Sequence, residues 1–213
     1  MKEWEATPRI QKFMQEHTIK DGVALQARFT ARVQEIVARQ KKIMMGWDEI
    51  LQPDTPKNVV IHSWRGQDSL AQAARQGYRA VLSSGYYLDL NQSAAEHYLV
   101  DPLVGSTASL TADQRSRILG GEAAMWTDIL STENVDNRTW PRVAAIAERL
   151  WSRPEVRDVD SMYERLAMVS QKLVYYGLGY RYIKEEMIQR MPHHHKCRRK
   201  DRRCLSGTET NIG

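Results

Sequence analysis

The sequence predicts an α/β fold of parallel strand–helix units, and three features of the chain favour it. Four short apolar runs, some rich in β-branched residues, alternate with stretches that are compatible with helix. Turn residues bound these runs. A length of 213 residues with 42% hydrophobic residues is sufficient for a buried core. Buried strands that alternate with helices are typical of parallel sheets.

Residues 7–40 predict a helical region ahead of the first strand. Thr7 is a candidate N-cap, and Pro8 suits a first helical turn. The pair Asp21-Gly22 interrupts the pattern. Beyond it, apolar residues recur every three to four positions, which predicts an amphipathic helix: Leu25, Phe29, Val33, Ile36 and Val37.

Four predicted strands follow, covering residues 42–47, 58–64, 78–84 and 117–121. A helix-compatible stretch at 69–76 ends before Gly77, a favourable C-cap. A long polar segment separates the last two strands, and helices at about 138–152 and 159–176 are expected to complete the fold. Four strands are too few to close an eight-stranded barrel, so the sheet is either open or part of a barrel whose remainder is missing.

Positive charge is concentrated at the C-terminal end. Six Lys and Arg residues against two acidic ones within 192–213 account for +4 of the net charge of +5. The nearly neutral remainder argues against a nucleic-acid partner, and residues 191–213 are predicted to be a disordered basic tail. No apolar run approaches the ~18 residues of a membrane span, so no membrane partner is predicted. The polar N-terminus does not resemble a signal peptide, and the localisation stays open.

The tail also contains residue types that bind metals. Cys197 and Cys204 are the two cysteines of the chain, and His193, His194 and His195 precede them. Their spacing fits no zinc module, and no second ligand pair completes one, so we predict no metal site. The cysteine-free remainder needs no disulfide.

Aromatic and acidic residues occur where the predicted strands end. Trp47 and Trp64 end the first two strands, whereas Tyr86–Asp89 and Met125–Asp128 follow the third and fourth. In parallel α/β barrels the carboxyl ends of the strands form the active-site face. Indole faces stack on a pyranose ring, and acids and phenols bind its hydroxyls. The pattern suits a sugar site, although core packing is the alternative explanation for the tryptophans taken alone.

Five segments occur in order along the chain: GWDEIL at 46–51, SWRG at 63–66, YLD at 87–89, GGEAAMW at 120–126, and WPR at 140–142 running on to AERLWS at 147–152. Together they resemble glycoside hydrolase family 20, the β-N-acetylhexosaminidases, from about residue 4 to about residue 190. The resemblance implies that residues 1–190 are the C-terminal half of a TIM (β/α)8 barrel, about strands 5–8, and that the barrel is incomplete.

The resemblance also implies roles for individual residues in binding a terminal N-acetylhexosamine. The residues concerned are Trp47, Trp64, Tyr87, Asp89, Trp126 and Asp128. The three tryptophans would enclose the sugar and its acetamido methyl, and Tyr87 would hydrogen-bond the acetamido carbonyl. Asp89 and Asp128 would bind outer hydroxyls, although many relatives have Glu at the position of Asp128. No metal or nucleotide cofactor is implied.

The implied mechanism is substrate-assisted retention, in which the acetamide oxygen of the substrate attacks the anomeric carbon. One enzyme carboxylate orients the acetamide, and an adjacent Glu acts as general acid and base. In the family, both come from a His-x-Gly-Gly-Asp-Glu motif, which this sequence lacks. We therefore expect the catalytic pair upstream of Met1, no activity of this chain alone, and the missing N-terminal half-barrel as its partner. The alternative is a non-catalytic carbohydrate-binding or partner-dependent half-barrel.

Other charged and aromatic residues are expected to be structural. Asp48-Glu49, the one Asp-Glu pair in the sequence, accompanies Trp47 in the family and is not expected to replace the catalytic pair. We expect Glu122 to hydrogen-bond nearby backbone and Glu148 to pair with Arg149. Trp140 and Trp151 are assigned to structure, and His62 is expected to be an ordinary polar residue.

Overall fold

The described part of the chain contains a four-stranded parallel sheet with helices packed against it. The computed structural model describes residues 2–90, 92–126, 131–132 and 135–178. The strands are β1 (Met45–Trp47), β2 (Val60–Ser63), β3 (Arg79–Leu82) and β4 (Ile118–Gly121), hydrogen-bonded in that order and all parallel. Among the described residues, β1 and β4 are therefore the two edges of the sheet.

Helices precede, connect and follow the strands. They are α1 (Lys2–Ala6), α2 (Pro8–Glu16), α3 (Gly22–Arg39), α4 (Gln67–Arg75), α5 (Ala94–Leu99), α6 (Ala112–Arg115), α7 (Val135–Thr139), α8 (Arg142–Trp151) and α9 (Val159–Tyr175). Short 3-10 turns lie at Asp48–Ile50 and Gly105–Thr107. The predicted α/β class and the parallel sheet are confirmed. The tail at 191–213 and Asp128 lie outside the described residues.

Several predicted boundaries were wrong for identifiable reasons. The helix expected at about 138–152 is divided into α7 and α8, because Pro141 has no N–H to continue a helical ladder and serves instead as the N-cap of α8. The Thr7 hydroxyl does not cap α2; it donates to the Glu3 carbonyl at 2.7 Å, since α1 already occupies the preceding residues. The polar segment between β3 and β4 contains α5 and α6.

The main core lies between the sheet and α4. Ile61 and Ala80 from the sheet pack with Leu70 and Ala73 of α4, and all four are fully buried. Alanines on the inner face let the helix approach the strands closely, while Leu70 fills the remaining space. Gly77 has a φ of +87°, so it takes the left-handed C-cap conformation that the sequence predicted.

A second cluster joins α5, α8 and α9 around Tyr98, Ala145 and Met162. A close approach links β4 to the main core, because a Cβ on Gly121 would overlap the Tyr86 ring and lie 3.0 Å from a methyl of Leu150. Glycine at this position is therefore a packing requirement.

The amphipathic face predicted for α3 exists, but part of it is uncovered. Asp21 caps the helix by accepting from the Ala24 N–H at 2.9 Å. On the predicted apolar face, however, Phe29 is 62% exposed and Ile36 is 52% exposed. The helix therefore presents an apolar stripe that the described residues cover only in part.

The ion pair expected within α8 was wrong. Neighbouring helical residues point in different directions, so Glu148 and Arg149 separate. Glu148 pairs with Arg165 of α9 at 2.5 and 3.0 Å and accepts from the Tyr98 hydroxyl at 2.9 Å. Arg149 instead donates to backbone carbonyls.

Among the residues described, no helix is long and apolar enough to cross a membrane.

Candidate functional site

The carboxyl ends of the four strands bring five of the six predicted site residues around one cavity. Trp47 ends β1, Trp64 follows β2, Tyr87 and Asp89 follow β3, and Trp126 follows β4. The cavity has a volume of about 790 Å³ and is also lined by Glu49, Ser84, Gly85, Leu90 and Gln92. Asp128, the sixth residue, lies outside the described part of the chain.

The three tryptophans of this cavity keep much of their surface accessible. Trp47, Trp64 and Trp126 are 36%, 42% and 48% exposed. The rings of Trp47 and Trp126 are tilted by 38° with their centroids 5.9 Å apart, so they form an angled aromatic wall. Core packing would bury such large side chains, so this exposure favours a binding surface over the core explanation.

The Asp48-Glu49 pair divides its two carboxylates between different tasks. The buried Asp48 lies 2.8 Å from the Arg65 Nε and accepts from the Ser69 hydroxyl at 2.7 Å. Glu49 lies at the cavity, where its two oxygens accept from the Trp64 indole N–H at 3.1 and 3.2 Å. Arg65 also approaches Glu49 at 3.2 Å. Asp48 therefore ties β1 to α4, and Glu49 orients an aromatic wall residue.

Tyr87 and Asp89 lie on a loop that continues the sheet pattern beyond β3. Tyr87 forms a parallel bridge with Ala124, in which the Leu88 N–H donates to the Ala124 carbonyl at 2.8 Å and the Ala124 N–H donates to the Tyr86 carbonyl at 3.1 Å. The Oδ1 atom of Asp89 is buried and has no hydrogen-bond partner among the described residues. Asp89 itself lines the cavity.

A smaller cavity of about 380 Å³ adjoins the first and shares Trp47 and Trp126 with it. His62 of β2 lines it, buried, with its imidazole stacked on Trp47 at 4.3 Å between centroids. Its Nδ1 lies 4.0 Å from Glu122 Oε1, and Glu122 faces the cavity, which differs from the backbone contact expected for it. Burial lowers the pKa of His62, and the nearby Glu122 and Asp48 partly oppose this shift.

The position of His62 at the cavity was not predicted, because a lone polar residue in an apolar run does not by itself indicate a site. The strand register could have indicated it, since Trp47 of β1 and His62 of β2 are register partners. Among the described residues, no group of three or more His, Cys, Asp or Glu side chains could hold a metal ion. The His and Cys residues of the tail lie beyond the part that the structure describes.

A parallel α/β sheet whose carboxyl edge carries half-exposed indoles and acids around an open cavity is the arrangement expected of a carbohydrate-active α/β protein. Residues 1–154 match the family model described as glycosyl hydrolase family 20, catalytic domain. The chain belongs to this family.

Known relatives are similar over most of this chain but are much longer. The chain is 32% identical over 187 residues to the β-hexosaminidase subunit beta of Homo sapiens, covering 83% of this chain and 33% of that protein. It is 45% identical to the Flavobacterium johnsoniae chitobiase, with a TM-score of 0.78 over 84% of this chain and 28% of that one. A Vibrio harveyi exo-β-N-acetylglucosaminidase, solved with N-acetylglucosamine, shows 28% identity and a TM-score of 0.74, covering 84% of this chain and 30% of that one. The chain thus spans about a third of the length of the curated relatives it matches.

Proposed function

We propose that this chain forms the substrate-binding wall of a β-N-acetylhexosaminidase, which hydrolyses terminal non-reducing N-acetyl-D-hexosamine residues of glycans. The observation that carries the proposal is the single cavity lined by Trp47, Trp64, Tyr87, Asp89 and Trp126. These residues come from four separate strand ends, and family membership supports a common purpose for them.

Each side chain has a distinct task in this proposal. The angled indoles of Trp47 and Trp126 and the indole of Trp64 stack against the sugar ring and its acetamido methyl. The Tyr87 hydroxyl donates to the acetamido carbonyl and aims it at the anomeric carbon. Asp89, which lines the cavity, accepts from outer hydroxyls, and we assign Asp128 the same task.

The proposal includes a half-barrel architecture for residues 1–190, with β1–β4 as strands 5–8 of a TIM barrel and 191–213 as a separate tail. Three observations support it. Each edge strand has a neighbour on one side only among the described residues. The apolar stripe of α3, which precedes β1, is partly uncovered, and Trp151 of α8 is almost fully exposed. A complementary half-barrel would cover such surfaces and complete the site.

We further propose that the catalytic Asp-Glu pair belongs to the complementary half-barrel and that this chain alone is inactive. The sequence contains no His-x-Gly-Gly-Asp-Glu motif. Its one Asp-Glu pair is committed to Arg65, Ser69 and Trp64. The same observations support the second candidate, a non-catalytic carbohydrate-binding or partner-dependent half-barrel.

Two measurements on the purified 213-residue chain test the proposal. The first is hydrolysis of p-nitrophenyl N-acetyl-β-glucosaminide. The second is a titration with N-acetylglucosamine in which tryptophan fluorescence is the readout. We expect sugar binding without turnover, and we expect Trp126→Ala to abolish the binding. Activity that appears only on addition of a half-barrel containing the Asp-Glu motif would favour the enzyme over the purely binding candidate.

Two results would contradict the proposal. An absence of N-acetylglucosamine binding in a folded chain would remove the assignment of the wall. Turnover by the chain alone, lost in Trp126→Ala, would place a catalytic carboxylate within this sequence. Glu122→Gln and Glu49→Gln would then identify it, because Glu122 lines the smaller cavity and Glu49 lines the larger one.

A further inference from the structure

One buried arginine lies directly behind the loop that carries Asp89. Arg142, in the first turn of α8, is 1% exposed. A guanidinium group has five N–H donors, and here it makes five hydrogen bonds, all to backbone carbonyls. Nε donates to Arg138 O at 3.1 Å, Nη1 to Leu90 O at 3.0 Å and Gln92 O at 2.7 Å, and Nη2 to Leu88 O and Arg138 O.

Three of these acceptors belong to one short stretch of backbone. Leu88, Leu90 and Gln92 each present a carbonyl to the same cation. The Gln92 N–H also donates to the Leu90 carbonyl at 2.8 Å, which links two of the three residues to each other. Asp89 stands between two of the bound carbonyls, and its backbone is therefore held from both sides.

The energetic setting indicates that this arginine is not a simple packing residue. Burial is the main cause that lowers the pKa of Arg142 to about 10; the nearby Arg138 contributes to this shift, and Asp89 opposes it. Among the described residues, no carboxylate hydrogen-bonds the guanidinium, so carbonyl dipoles offset the cost of burying its charge. An apolar side chain at this position would avoid that cost but could not bind the carbonyls.

We propose that Arg142 is a positioning residue whose guanidinium fixes the backbone at Leu88, Leu90 and Gln92, and so sets the place of the Asp89 carboxylate in the cavity wall. Leu90 and Gln92 line the same cavity, so a displaced loop changes the wall as well as the acid. Tyr87 is held separately, through the bridge to Ala124. The sugar-binding consequence rests on the proposed function, whereas the fixing of the loop does not.

A matched control lies two turns further along α8. Arg149 is also buried and also donates to backbone carbonyls, Val156 at 2.8 Å and Arg153 at 2.9 Å. Its acceptors belong to the segment between α8 and α9, away from the cavity. Lysine keeps the charge of either arginine but loses the planar fork, so Arg142→Lys and Arg149→Lys test the fork at two places.

The experiment compares these two variants of the full 213-residue chain by hydrogen–deuterium exchange and by N-acetylglucosamine titration. We expect Arg142→Lys to accelerate exchange in peptides spanning 86–93 and to weaken sugar binding on the order of ten- to a hundredfold. Arg149→Lys is expected to accelerate exchange near 153–157 and to leave sugar affinity unchanged. In an Asp89→Ala background, Arg142→Lys is expected to have a smaller effect on affinity, because the part of its effect that acts through the Asp89 carboxylate is then absent.

Unchanged exchange at 86–93 in a folded Arg142→Lys chain would overturn the proposal. So would an affinity loss of the same size with and without Asp89. If the wild-type chain shows no sugar affinity, the proposed function fails, while the exchange comparison still decides the role of Arg142.

A second variant covers the case in which Arg142→Lys does not fold. Arg142→Ala removes the guanidinium, and the chain is refolded with methylguanidinium or, as a control, methylammonium. Recovery of native tryptophan emission and of slow exchange at 86–93 with methylguanidinium alone is the expected result. Equal recovery with both ions, or with neither, would mean that the fork does not fix the loop.

Discussion

The indole N–H of Trp64 is directed at both carboxylate oxygens of Glu49, at 3.1 and 3.2 Å. An acid of the turn after β1 thereby sets the orientation of an aromatic ring after β2. Because both side chains are partly exposed at the cavity, this contact contributes more to the orientation of the wall than to stability.

Removing Glu49 should loosen the wall without unfolding the chain. Glu49→Ala is expected to weaken N-acetylglucosamine binding by about three- to tenfold, equivalent to ~1 kcal/mol, because Trp64 loses its acceptor. Fluorescence titration measures the change. Glu49→Gln keeps one acceptor oxygen and should lie between the wild type and Glu49→Ala. Identical affinities for all three proteins would show that the contact does not orient the ring.

Replacing the neighbouring Asp48 should mainly lower the stability of the chain, in contrast to the replacement of Glu49. Asp48→Asn weakens a buried carboxylate that is held by Arg65 and Ser69. We expect a loss of about 1–3 kcal/mol in the free energy of unfolding, measured with urea. Glu49→Gln is the control, with an expected change within ~0.5 kcal/mol. Equal losses would contradict the division of tasks between the two acids.

The glycines of the sheet should differ in their tolerance of a methyl group. Gly121→Ala would force a methyl against the buried Tyr86 ring, and we expect it to cost about 1–3 kcal/mol. Gly46→Ala meets the terminal methyl of Ile50 at 2.8 Å, which a rotamer change can move, so less than ~1 kcal/mol is expected. Urea unfolding of both variants gives the comparison, and a larger cost at Gly46 would refute it.

The ion pair between α8 and α9 should give a pH-dependent contribution to stability. The hydrogen bond from Arg165 is the main cause that lowers the pKa of Glu148 in the folded chain, with burial opposing it. A lowered folded pKa means that the stabilisation is present above the ordinary glutamate pKa and is lost as pH falls through the folded value.

The corresponding measurement compares wild type and Glu148→Gln by urea unfolding at pH 7 and at steps down to pH 3. We expect a gap of ~1 kcal/mol at pH 7 that shrinks below the ordinary glutamate pKa of 4.5. The exposed Glu155→Gln is the control and should show no such gap. A Glu148 gap that stays constant to pH 3 would contradict the linkage.

The partly uncovered stripe on α3 should drive self-association of the isolated chain. Replacing both Phe29 and Ile36 with Lys removes its most exposed apolar side chains. Sedimentation velocity should then show less association than the wild type. Ala38→Lys with Gln40→Lys adds two lysines at exposed positions without removing this surface. If both double variants reduced association equally, charge alone would be responsible.

Much of the fold could be predicted from local patterns. The alternation of short apolar runs and helical stretches placed all four strands, and Gly77 marked the end of α4. Predictions were wrong where a proline interrupted a helix or where a side chain paired with a residue distant in sequence. Pro141 divided a predicted helix, and Glu148 paired with Arg165 rather than with its neighbour in the sequence.

In the candidate site, too, some residues could be predicted from local patterns and others could not. Trp47, Trp64, Tyr87, Asp89 and Trp126 could be selected from the sequence because each follows a strand and belongs to a family motif. The supporting residues could not be selected in this way. Their importance depends on contacts with backbone or rings that are remote in sequence, as for His62 stacked on Trp47 and for Arg142 bound to the carbonyls of Leu88, Leu90 and Gln92.

The amino-acid sequence by itself determined the parallel α/β class, the family and the strand ends that carry the aromatic and acidic residues, because periodicity and short motifs are local properties. Only the tertiary structure decided which carboxylate of Asp48-Glu49 faces the cavity, which cation binds the Asp89 loop, and that the apolar stripe of α3 is partly uncovered. Each of these depends on where parallel strands and helices bring side chains together, and direction in space is not encoded in spacing along the chain.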